Sequence, residues 1–257
     1  WVKKGSSIDG DFANDNLGYS VSMPDANTVA VGAPFHDGNG YEYGLVRIYS
    51  WNGSAWVKKG SDLSGEANGD RSGYSVSMPD ANTVAIGAPL NDGTANKAGH
   101  VRIFSWSGSA WVQKGSDLDG EAWDDQSGFS VSMPDANTVA VGAPYNKDNG
   151  NWAGHVRIYS WSGSAWVQKG SDLDGDWADD RFGVAVSMPD ANTVAVGATN
   201  NDGNGTNTGL VRIFTWSGSA WVQRGSDIQG SGYEAQFGAS ISMPDANTLA
   251  IGAHKNS

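Results

Sequence analysis

The sequence predicts an all-β chain, a β-propeller of four-stranded antiparallel blades. Three observations carry this. Trp1, Trp56, Trp111, Trp166 and Trp221 open copies of one unit, spaced 55 residues apart with no insertion or deletion. Each unit holds four short strand-like runs separated by turn signals. Bulky and small residues alternate along those runs, as a blade packed between two neighbours requires.

In the first cycle the runs are Tyr19–Met23, Thr28–Ala33, Leu45–Trp51 and Trp56–Lys59. Each is rich in Val, Ile, aromatic residues or Thr. Pro24-Asp25-Ala26-Asn27 separates the first two. Proline pre-sets φ for a turn there, and asparagine tolerates the left-handed conformation. Asn52-Gly53 marks a hairpin between the third and fourth, and Ser-Gly replaces it in later copies. Along the first two runs Val21, Met23, Val29 and Val31 carry bulk, while Ser20, Ser22, Ala30 and Gly32 are small. The rival reading, a parallel β-helix, ordinarily has a shorter turn.

The chain divides into repeats 1–55, 56–110, 111–165 and 166–220, and an incomplete fifth, 221–257, all within a single domain. This suits a five-bladed ring or a fragment of a six- or seven-bladed one. Trp1–Lys4 is the candidate for a strand that closes such a ring on the last blade. The first residue falls inside a repeat, so the start reads as a fragment edge or a mature N-terminus.

Composition narrows the functions. The chain has 36 Gly and 12 Trp, no Cys, and a net charge of −12. Such a charge does not seek nucleic acid or an anionic membrane. Without Cys there are neither disulfides nor thiolate metal sites. No apolar run approaches the roughly 18 residues of a membrane span.

The recurring stretch GYSVSMPDANTVAVGAP resembles the FG-GAP repeat, the blade unit of integrin alpha-chain propellers. Phe182-Gly183 and Phe237-Gly238 match the FG element. Gly32-Ala33-Pro34, Gly87-Ala88-Pro89 and Gly142-Ala143-Pro144 match the GAP element. Leu17, Ser72 and Ser127 stand where the Phe would be, and Thr199 and His254 where the Pro would be. The resemblance implies an extracellular or cell-surface propeller used in adhesion or recognition. It does not carry over calcium: the family's D-x-D-x-D-G loop is reduced here to Pro-Asp-Ala-Asn, and one Asp cannot supply 6–8 oxygen ligands.

Up-and-down connectivity puts the loops joining strands one to two and three to four at one end, which is uniform between copies. The opposite end varies. Its loops are Asp11–Leu17, Glu66–Ser72, Glu121–Ser127, Asp176–Phe182 and Ser231–Phe237, with Phe35–Tyr43, Leu90–Ala98, Tyr145–Ala153 and Asn200–Thr208. Trp123, Trp152, Trp177, Tyr43 and Tyr145 are therefore the candidate ligand-binding residues, because aromatic side chains on scaffolded loops anchor recognition. The ligand is expected to be a protein or a carbohydrate.

Asp117 and Asp119, with Asp172 and Asp174, are the weak metal candidates for calcium. Ser64 and Gln229 replace the second Asp in other copies, and the alternative is a solvated acidic loop. Otherwise no cofactor is expected. His100 and His155 stand where other copies have Leu45 and Leu210, which marks a packing position. His36 and His254 are isolated. Arg47, Arg102, Arg157 and Arg212 share a third-strand position suited to cation–π packing. No nucleophile elbow, HExxH or phosphate loop is present. The expectation is a non-enzymatic binding module. The alternatives are a structural repeat of a larger, self-assembling array and an enzyme with a site in the central channel.

Overall fold

The computed structural model describes residues 1–38 and 40–255; Asn39, within one variable loop, lies outside them. Among the described residues every regular element is a β-strand. Blade 1 is an antiparallel meander of Ser20–Asp25, Thr28–Ala33, Leu45–Trp51 and Trp56–Lys58. Blades 2, 3 and 4 begin at Ser75–Asp80, Ser130–Asp135 and Phe182–Asp190 and repeat the pattern. Blade 5 consists of Phe237–Asp245 and Thr248–Ala253.

The fourth strand extends beyond the Trp56–Lys59 run that the sequence predicts, and it is broken. After Trp56–Lys58 it leaves the edge at Gly60 and returns as Leu63–Ser64, still paired to the third strand at Leu45–Val46. Gly60 has φ +81°, and a Cβ there would lie 2.8 Å from the ring of Trp106 in the next blade. The break therefore brings backbone against an indole, which only glycine permits.

The cores lie between blades. Val46, Ile48 and Ala30 of blade 1 pack with Met78, Val84 and Ile86 of blade 2. Equivalent clusters join blades 2 and 3, 3 and 4, and 4 and 5. Thr28–Ala33 is buried along its whole length, as are its counterparts in blades 2 to 4. A strand covered on both faces must be apolar or small throughout.

The Ser-Met-Pro-Asp segment forms a bulge in each first strand. Proline has no N–H and is tolerated there. The methionine N–H, freed from the ladder, donates to the preceding blade: Met78 to Ser22 Oγ, Met133 to Ser77 Oγ and Met188 to Ser132 Oγ, each at 2.9 Å.

The two signature glycines meet across the same interface. A Cβ on Gly142 would lie 2.1 Å from the carbonyl oxygen of Gly183 in the next blade. Gly183 itself has φ +94°. One glycine lets the backbones touch, and the other takes a left-handed conformation to turn its carbonyl toward the contact.

The outer edge carries Trp pairs at ring distances of 5.4–5.5 Å, edge to face. Trp111 Nε1 donates to the carbonyl of Lys59 at 2.8 Å, and the Lys59 ammonium lies over Trp106 and Trp111 while donating to Asn82 Oδ1. The uniform end thus clasps one blade to the next.

Trp1–Lys4 forms no strand. Lys4 donates to Asn27 Oδ1 at 2.8 Å and accepts from Trp56 Nε1 at 2.9 Å, so it clasps blade 1 as Lys59 clasps blade 2. A fourth strand needs the edge of a third, and blade 5 offers only strands one and two. The terminal blades keep one face open. Val21 and Met23 are 62% and 57% exposed, whereas Met78, Met133, Met188 and Met243 are buried against a preceding blade.

Candidate functional site

Both sets of variable loops meet at one end of the blades. In blades 1 to 4 the loop entering the first strand is folded around a buried Asp, namely Asp15, Asp70, Asp125 and Asp180, and Ala235 takes that place in blade 5. Asp70 accepts N–H bonds from Glu66 and Ala67 at 3.0 and 2.8 Å, and an amide bond from Asn91 at 3.1 Å. Asn91 in turn accepts from Gly93 N–H at 2.8 Å, closing its own loop. Asn201 and Asp180 repeat this lock in blade 4. These acidic residues hold the two loops of a blade rigidly together.

On that scaffold lies a continuous row of six aromatic rings. It runs Phe35, Tyr19, Tyr74, Phe129, Tyr145, Trp152, with successive centroids 4.9–6.1 Å apart. Tyr19, Tyr74 and Phe129 occupy one repeat position, at the entrance of the first strands, which pack on one another from blade to blade. Guanidinium groups cap both ends of the row: Arg71 lies over Phe35 at 4.9 Å, and Arg181 over Tyr145 at 5.4 Å and the terminal Trp152 at 5.8 Å. Burial and a hydrogen bond with Tyr19 push the Tyr74 hydroxyl well above the usual tyrosine range.

The sequence singled out Tyr145 and Trp152, and the structure brings them together here. Trp152 is half-buried at φ 57°, a conformation costly for an aromatic residue. Trp123 and Trp177 are 59% and 71% exposed on neighbouring loops. Lys147 lies over the Trp123 ring at 4.5 Å. Trp177 borders a cavity of about 410 Å³ with Asn201, Asp202, Arg212 and Gln229. Tyr43 is half-buried in its loop, outside the row. Tyr19, Tyr74, Phe129 and Phe35 are additions that sequence reading passed over. Their signal was one repeat position that carries an aromatic residue in three copies and Val184 and Ala239 in the others.

Carboxylates gather beside the third strands. Arg47 pairs with Asp11 and Asp62, and Arg212 with Asp176 and Asp227. These ion pairs, more than stacking, are what the shared arginine position does in blades 1 and 4. In blades 2 and 3 the arginine keeps one carboxylate, Glu66 or Glu121, and turns from the other, Asp117 or Asp172. Arg102 donates to the carbonyl of Ser64 and Arg157 to that of Asp119, each at 2.6 Å. Asp117 and Asp172 then face His100 and His155, with Nδ1 to Oδ2 distances of 3.6 and 3.5 Å. Both imidazoles are 1% exposed. They are buried, as a position that accepts leucine implies, but each faces carboxylates. Burial and the nearby Arg102 push His100 down to about 4; burial and Arg157 lower His155. Burial also raises Asp119 and Asp174, which stand on the edge strands Leu118–Asp119 and Leu173–Asp174 and take no part in the clusters. In the reduced loop at the other end, Asp25 Oδ1 accepts the N–H of Asn27 at 2.6 Å, a turn-closing role.

Residues 171–214 match the FG-GAP repeat family model. This is the span that closes blade 3 and builds most of blade 4, and the other copies repeat it. The chain is a β-propeller that carries an FG-GAP repeat. No curated protein matches it. Among crystal structures, a putative 6-phosphogluconolactonase from Bacteroides fragilis is similar at 12% identity and TM-score 0.54, over 97% of this chain and 61% of that one. A putative 6-phosphogluconolactonase from Bacteroides uniformis reaches 10% identity and TM-score 0.48, over 91% and 77%. The β-propeller domain of the trilobed protease from Pyrococcus furiosus reaches 9% and 0.43, over 93% and 69%. This chain thus spans about three fifths of the B. fragilis protein, and at this identity the likeness concerns the fold alone.

Proposed function

We propose that this FG-GAP propeller is a non-enzymatic binding module of an extracellular or cell-surface protein, and that it grips a protein or carbohydrate ligand across its variable end. The observation that supports this is the aromatic row. Six rings in series, on loops tied to one another by backbone hydrogen bonds and in blade 2 by the Asn91–Asp70 bond, offer a preorganised stacking platform at low entropic cost. Trp152 supports it further. A position held at left-handed φ suits Asn207, its counterpart in blade 4, so an indole there is not chosen for the backbone. Trp123 and Trp177 extend the surface to either side.

The test is binding of candidate glycans and surface proteins, by array and pull-down, to the intact chain and to single variants. Tyr19→Ala, Trp123→Ala and Trp177→Ala are expected to weaken a bound ligand, and Asp80→Ala and Asp135→Ala at the uniform end to leave it bound. Loss of binding only in the Asp variants would place the site at the wrong end.

A second reading, a structural element of a larger assembly, is favoured by the uniform end, where the Pro-Asp-Ala-Asn turn and the Lys–Trp clasp recur from blade to blade. Ordered self-assembly indifferent to the aromatic substitutions would select it.

A further inference from the structure

The geometry points to a site for a divalent transition-metal cation of the zinc class in blade 3, formed by Glu121, Asp148, His155 and Asp172. One ligand atom from each lies within 4.8 Å of all the others. Three features build the site; the imidazole and the arginine set blades 2 and 3 apart from blades 1 and 4, and Asp148 sets blade 3 apart from blade 2.

The first is the imidazole. His155 Nδ1 is buried and has no hydrogen-bond partner, although it points at the Asp172 carboxylate. An unpaired buried nitrogen is costly, and bonding to a cation would satisfy it. The fold does not require histidine here, since Leu45 and Leu210 fill the same position in blades 1 and 4.

The second is Asp148. Its counterparts in the other three complete copies are Gly38, Gly93 and Gly203. An exposed carboxylate has been placed where the unit otherwise has no side chain. Asn146 donates to it at 3.3 Å, and Asp125 Oδ1 is left buried without a partner nearby in the loop.

The third is the arginine. In blade 4, Arg212 neutralises both Asp176 and Asp227, the counterparts of Glu121 and Asp172. In blade 3, Arg157 keeps Glu121 at 3.1 Å and gives its other nitrogen to a backbone carbonyl. Asp172 is thereby released to face the imidazole. Three carboxylates then share one guanidinium, which leaves charge for a cation to balance.

The donor set selects the ion. An imidazole nitrogen with carboxylate oxygens suits zinc and similar cations, whereas calcium prefers oxygen alone. Blade 2 has the lesser version, Glu66, His100 and Asp117, without a fourth ligand because Gly93 stands in place of Asp148.

The test uses substitutions that the sister blades already carry, so folding is preserved. The full chain is stripped with a chelator and titrated with Zn²⁺ against a chromophoric competitor, with Ca²⁺ in parallel. Melting is followed with and without Zn²⁺. One saturable Zn²⁺ equivalent is expected, weakened about tenfold or more in His155→Leu and in Asp148→Gly. The wild type gains melting temperature with Zn²⁺, and both variants lose that gain. Absence of saturable Zn²⁺ uptake by the wild type would overturn the site. So would uptake undiminished in His155→Leu, or Ca²⁺ uptake of equal strength that ignores His155, since either would reduce the cluster to diffuse acidic charge.

Discussion

Gly142→Ala isolates the contact between blades 3 and 4, because Gly142 does not have the positive φ that would itself strain an alanine. The new methyl would sit 2.1 Å from the carbonyl oxygen of Gly183 and 3.0 Å from its carbon. That neighbour is backbone and cannot rotate away. Ordinary contact requires the blades to part by about 1 Å, which loosens the dispersion contacts of the core between them. Overpacking of this kind costs about 1–3 kcal/mol. The methyl also displaces Ser130 Oγ, whose 2.7 Å bond to Gly183 is worth about 1 kcal/mol more. The expected loss is about 3 kcal/mol, read from urea unfolding followed by Trp fluorescence. Blade 5 supplies the control. A Cβ on Gly252 meets only Ser240 of its own blade, a side chain free to turn, so Gly252→Ala is expected to cost below about 1 kcal/mol. A loss below about 1 kcal/mol for Gly142→Ala, or equal losses for the two, would refute the account of the paired glycines.

Two further outcomes are expected. Trp111→Ala is expected to cost about 2–3 kcal/mol, at the low end for a large aromatic because the ring is only half-buried, through loss of packing and of the bond to Lys59; a urea midpoint that barely moves would show that the clasp contributes little. Hydrogen bonding from Arg212 holds the Asp227 carboxyl below the usual range, against the opposing effect of burial. Its folded pKa is depressed, so its contribution is present above the unfolded pKa of about 4 and fades as pH falls through the folded value. Asp227→Asn is expected to narrow the difference in stability between pH 7 and about pH 3.5; an unchanged difference would mean that this pair plays no part in the acid response.

The first three strands of blades 1 to 4 were legible because alternation and turn residues bracket them, but Pro-Asp-Ala-Asn reads as a turn throughout, whereas its Pro-Asp half continues the bulged first strand to Asp25. The break at Gly60 was not, since its cause is an indole one blade away, at Trp106. The aromatic row shows the same limit. Tyr19, Tyr74 and Phe129 are 55 residues apart and become neighbours only when blades stack. At Trp123 and Trp177, loop divergence alone was enough to indicate exposure. His100 and His155 were legible as buried from their leucine counterparts. Their carboxylates were hidden because the returning edge strand pairs His155 with Asp174, which brings Asp172 alongside from seventeen residues further on.

The broken fourth strand has a genetic consequence. Each blade borrows its outer edge from the unit that follows, so the sequence period and the structural blade are out of phase. The junctions among blades 1 to 4 nonetheless present the same glycines, serines and indoles. A tandem duplication of 55 residues therefore inserts one complete blade wherever its endpoints fall, with both new junctions already complementary. Blade number in such a chain can grow or shrink by unequal recombination without an intermediate that has lost its packing. The variable loops meet across the junctions mainly through backbone hydrogen bonds, such as Ser72 N–H to the Tyr43 carbonyl, so their side chains are then free to diverge after each event.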